Sequence, residues 1–88
     1  MQNNIKDRFI TNIFKADLIL SDITLATDSE EKKVLLDLLD YYVMKLDDPT
    51  VTTIFNNMTG ANGKEREIYT EILVDIFNDR KAEIMRGV

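Results

Sequence analysis

Residues 5–25, IKDRFITNIFKADLILSDITL, decide the fold of this chain. Set about 100° apart, Ile5, Phe9, Ile13, Ala16, Leu20 and Ile23 line up as one apolar stripe, as in a helix packed on a core. Ile10, Phe14, Leu18 and Leu25 form a second stripe roughly 120° away, with Lys6, Asp17, Ser21 and Thr24 between the two. A surface helix needs only one such stripe. Two imply that this helix, over about Asn3–Ala26, is wrapped on both sides. Two other helices of the same chain sandwich it, or the second stripe meets its own copy across a two-fold axis, or it meets a different protein partner.

Outward from that segment the same periodicity continues, interrupted by three breaks. At Thr27-Asp28-Ser29, Thr27 and Glu30 have capping-box spacing, and Asp28 is an equally good N-cap. At Asp47-Asp48-Pro49, Asp48 caps and Pro49 fits the first turn, where its missing N–H would be unpaired anyway. At Thr59-Gly60-Ala61-Asn62-Gly63, Gly60 suits a left-handed helix end and Asn62 suits the start of the next, with Glu65 three residues on.

The second helix, about Ser29–Asp47, is apolar over more than half its circumference through Val34, Leu35, Leu36, Leu38, Leu39, Tyr41, Tyr42, Val43 and Leu46. That composition predicts a central position, with one exposed strip of Glu30, Lys33, Asp37, Asp40, Met44 and Asp47. The third, about Pro49–Met58, offers Val51, Ile54, Phe55 and Met58 as a short lid. The fourth, about Lys64–Arg86, carries Ile68, Tyr69, Ile72, Leu73, Ile76, Phe77 and Ile84 on one face and Glu67, Glu71, Asp75 and Asp79 on another. The expectation is an all-α fold, a single compact four-helix bundle-like domain over residues 1–88 with three long helices and one short.

Composition narrows the function classes. The 88 residues are 44% hydrophobic and 31% charged, ordinary for a folded globular chain. There is no cysteine, so no disulfide or thiolate metal site, in keeping with a reducing, cytoplasmic setting. Lys15 and Asp17 interrupt the first apolar stretch well short of the roughly 20 residues that a membrane span needs. The net charge is −5, most of it within residues 27–48, and the eleven basic residues are scattered. Direct nucleic-acid binding is therefore not expected, since it rests on concentrated Lys and Arg.

Catalysis is not expected either. Histidine, the usual acid–base group near neutral pH, is absent. The glycines Gly60, Gly63 and Gly87 do not make a phosphate loop, and the acidic row on the fourth helix lacks the histidines of a di-iron bundle. No cofactor or metal is called for. A carboxylate hydrolase and a small-ligand binder with a pocket among Tyr41, Tyr42 and Tyr69 are the alternatives. In size, acidity and bundle-like helices the chain loosely resembles bacterial immunity proteins and small phage-encoded inhibitors of host proteins, with no motif that would carry residues across.

The favoured expectation is a non-catalytic protein-binding module, a small cytoplasmic regulator or inhibitor acting by macromolecular contact and forming a homodimer. Two surfaces are candidates for partners. One is the second stripe of the first helix, Ile10, Phe14, Leu18 and Leu25. The other is an acidic docking strip of Asp37, Asp40, Met44 and Asp47, suited to a basic partner.

Overall fold

Three short breaks turn the chain back on itself three times, giving α1 (Asn4–Leu25), α2 (Ser29–Leu46), α3 (Pro49–Gly60) and α4 (Gly63–Arg86). This computed structural model describes residues 4–87, and side chains over 10–87. The expected helix start at Asn3 and the stripe side chains Ile5 and Phe9 therefore lie outside the described residues. The fold class is the expected one, all-α with three long helices and one short.

Side-chain pairings across the helices fix their directions. Lys15 of α1 lies over Tyr42 of α2, Asp17 of α1 pairs with Lys81 of α4, and Asp48 before α3 pairs with Arg80 of α4. Each helix runs antiparallel to the next, and α1 packs on both α2 and α4, as does α3. The result is an up-down-up-down bundle measuring 43 × 20 × 20 Å.

The core is a single apolar cluster to which every helix contributes. Ile13, Ala16 and Leu20 come from α1, Leu39, Val43 and Leu46 from α2, Val51, Phe55 and Met58 from α3, and Leu73 and Phe77 from α4. No polar or charged side chain is fully buried among the described residues. Ile19, which belongs to neither stripe, is buried as well. The first stripe of α1 is thus the core stripe, widened by one residue.

The helix ends show which capping groups prevail. At α2 it is Asp28, whose Oδ1 accepts from the Glu30 N–H at 3.2 Å, rather than the Thr27 capping box. Asp47 ends α2 in the left-handed region at φ 50°, which a short polar side chain tolerates. Asp48 caps α3 as expected, accepting from the Thr50 and Val51 N–H groups at 3.1 and 3.4 Å.

The third break differs from expectation. Gly60 is the last residue of α3 and is not left-handed; the positive φ, 59°, belongs to Gly63 at the start of α4. Asn62 occupies the N-cap position without a side-chain cap bond. The physical reason is Arg66, whose guanidinium donates to the Met58, Ala61 and Thr59 carbonyls at 3.1–3.3 Å. With the orphan carbonyls of α3 satisfied from α4, no left-handed glycine cap is needed.

A second correction concerns α2. It does not sit centrally, and Val34, Leu38 and Tyr41 are exposed rather than covered. In a two-by-two bundle each helix has two neighbours, which cover about half its girth. A helix apolar over more than half must leave some of that surface open.

Candidate functional site: an open apolar face on α1 and α2

The four residues of the second α1 stripe do not share one environment. Ile10 is half-buried, and Phe14 is 37% exposed with the Lys81 ammonium 5.8 Å from its ring centre. Lys81 is held there by its ion pair with Asp17. Phe14 thus leans toward α4. Leu18 and Leu25 have no such cover and are 65% and 78% exposed.

On α2, Val34, Leu38 and Tyr41 follow one another at helical spacing and are 66%, 44% and 53% exposed. The antiparallel pairing sets the levels: Lys15 beside Tyr42 at one end, and Ile23 and Thr24 with Lys32 and Leu36 in one groove at the other. Leu18 therefore stands level with the middle of α2, near Leu38, and Leu25 near its start. Single exposed leucines are ordinary, but a series of large apolar side chains along one helix pair is characteristic of a contact surface. Tyr41, stacked edge-on against Tyr42 with the Lys45 ammonium 5.3 Å from its ring centre, adds an amphipathic side chain suited to an interface.

Of the stripe named from sequence, Leu18 and Leu25 belong to this open surface and Ile10 and Phe14 are partly covered, while the α2 residues were not anticipated. The signal was present in the breadth of the apolar sector on α2, which exceeds what two neighbours can cover.

The acidic strip is on the other side of α2. Asp37, Asp40, Met44 and Asp47 are all exposed. Asp37 and Asp40 line a shallow groove of about 330 Å³ along the α2–α3 seam, together with Lys33, Asn56 and Thr59. Asp47 belongs to the turn, so its backbone conformation is part of its role.

The three tyrosines are not gathered. Tyr41 and Tyr42 lie level with Lys15, while Tyr69 precedes Thr70, which lines the same groove as Ile23 and Thr24. Some eight residues of α1 separate the two levels, roughly 12 Å. That groove, about 720 Å³, opens at the end of the bundle where α1 stops, floored by Ile23, Leu36 and Met58 and rimmed by Lys32 and Lys64.

Among the described residues only two carboxylates are half-buried, and each faces a cation. Asp17 holds Lys81, and Asp48 accepts from Arg80 Nε at 2.9 Å. At Asp48, burial works against the ionised form. The hydrogen bond and charge of Arg80, joined by the Val51 and Thr50 N–H groups, outweigh it and hold the carboxyl below its ordinary value of 3.8. Glu67, Glu71, Asp75 and Asp79 are exposed on α4, and no cluster of three or more metal-ligating side chains forms among the described residues. No described helix is long and apolar enough to cross a membrane.

Compared with known family models, curated proteins and solved structures, the chain finds no match.

Proposed function

We propose that this protein is a non-catalytic protein-binding module, a small cytoplasmic regulator or inhibitor that acts by macromolecular contact and associates with a second copy of itself through α1. The observation that carries this reading is the exposure of Leu18 and Leu25 on a helix whose other side already supplies the core. A large apolar side chain gains about 1.5–3 kcal/mol when it is fully buried. A symmetric pair of such faces therefore offsets much of the cost of association. The pairing of both half-buried carboxylates with cations accords with a structural rather than an acid–base role for them.

Light scattering tests the reading directly. The wild type is expected to be a dimer at high micromolar concentration. Leu18→Asp is expected to give a soluble, fully helical monomer, because Leu18 lies outside the core. A wild type that stays monomeric at that concentration would sink the dimer, and an unfolded Leu18→Asp variant would return Leu18 to the core.

A second reading, a small-ligand binder, is favoured only by the 720 Å³ groove at the end of the bundle and not by the tyrosines. A thermal-shift screen against metabolites would support it through a concentration-dependent rise for one compound.

A further inference from the structure

The open face has charged ends of opposite sign. Along α1, Lys15, Leu18 and Asp22 succeed one another at steps of three and four residues. Along α2, Glu30, Val34, Leu38, Tyr41 and Lys45 do the same at steps of four, four, three and four, with Glu31 beside Glu30. All of these side chains are exposed. Because α1 and α2 are antiparallel, Lys15 and Lys45 lie together at one end of the face. Asp22, Glu30 and Glu31 lie at the other, and the apolar residues are between them.

We propose that the second copy docks antiparallel over both α1 and α2, around a two-fold axis that crosses the two helices at the level of Leu18 and Leu38. This rests on the reading of α1 as a self-association surface and specifies what that surface meets. A two-fold axis lying in the interface and perpendicular to the helices carries the lysine end of each copy onto the acidic end of the other, so every charged contact forms twice. A parallel arrangement would set Lys15 and Lys45 against their own copies and the acids against theirs. The face is also large enough. The 18 residues of α2 span about 27 Å, and the bundle is 20 Å across. Its flat projection is about 540 Å², two-thirds of the roughly 800 Å² per partner of a standard interface, and side-chain relief adds to it.

Charge swaps on the full chain test the arrangement. Lys15→Glu/Lys45→Glu makes both ends acidic, and Asp22→Lys/Glu31→Lys makes the acidic end largely basic. Each variant alone is expected to self-associate about tenfold or more weakly than wild type. An equimolar mixture of the two is expected to recover dimers by light scattering, because opposite ends meet again. If both variants dimerise like wild type while Leu18→Asp is monomeric, the antiparallel docking is overturned and the α1 reading stands. A monomeric wild type overturns both. Should a swapped variant lose helical circular dichroism, the wild type itself decides. A dimer dissociation constant rising several-fold between about 0.05 and 0.5 M salt supports the charged contacts, and one indifferent to salt removes them.

Discussion

α2 and α3 are consecutive helices of one bundle, each giving three side chains to the core, yet they turn opposite kinds of surface to solvent. Behind Val51, Phe55 and Met58, α3 exposes Thr50, Thr52, Thr53, Asn56, Asn57 and Thr59. Behind Leu39, Val43 and Leu46, α2 exposes Val34, Leu38, Tyr41 and Met44 among its charges. A helix used only inside its own domain needs one apolar sector. α3 has one and is finished. α2 has more than its two neighbours can cover, and the same holds for α1, on which it packs.

The ends of the two helices repeat the contrast. The carbonyl end of α3 is gathered by Arg66, and its start is capped by Asp48, itself held by Arg80. Both ties run to α4. Side-chain polar bonds therefore lock the α3–α4 half, whereas the α1–α2 pair is joined mainly by apolar packing and by Lys15 over Tyr42.

The largest effect expected from breaking this contrast is at Phe55. Phe55→Ala should lower stability by about 3–5 kcal/mol, read from the urea midpoint, because it opens a cavity in a closed core. Leu38→Ala, an equally apolar residue on α2, should shift a monomeric protein by only about 0.5 kcal/mol. In the monomeric Leu18→Asp background, equal losses at the two sites would mean that the α2 face is covered within the chain.

Asp48 comes next. Asp48→Ala removes the α3 cap and strands Arg80, for an expected loss of about 1–2 kcal/mol. Asp48→Asn keeps the cap and should cost less. An unchanged midpoint in the alanine variant would place the hold on α3 elsewhere.

The same residue predicts a pH dependence. The Asp48 pKa is lowered in the fold, so its contribution is present above the unfolded value near 3.8 and is lost as pH falls through the lower folded value. Wild-type stability should thus drop more steeply than that of Asp48→Asn on acidification below about pH 4. Parallel curves for the two proteins would remove Asp48 from the acid response.

The smallest effect is expected on the acidic side of α2. Asp37→Lys/Asp40→Lys should change stability by about 0.5 kcal/mol or less. It should weaken association with a basic partner and flatten its salt dependence. Asp47 is left alone because its left-handed φ makes any substitution a backbone test as well. Association insensitive to both the reversal and salt would make this strip an ordinary solvated surface.

Much of this was legible in residue spacing. The breaks, the Asp48 cap and the core stripe of α1 follow from local rules, because helical period and capping act within a few residues. The cap at Asp28 rather than Thr27 was open between two local solutions of similar quality. The role of Arg66 was not legible at all, since it depends on α4 folding back along α3 to bring a guanidinium to carbonyls five to eight residues earlier.

The candidate face divides along the same line. Periodicity alone established that α1 carries a second apolar stripe and that α2 is apolar beyond half its girth. It could not say which part would be covered, because coverage depends on the number and placement of neighbours, and these are properties of the assembled bundle. Packing decided that Phe14 sits beneath Lys81 while Leu18 and Leu25 are open, and that Val34, Leu38 and Tyr41 join them. The pattern on one helix reports what that helix can bury. Only the arrangement of all four reports what remains for a partner.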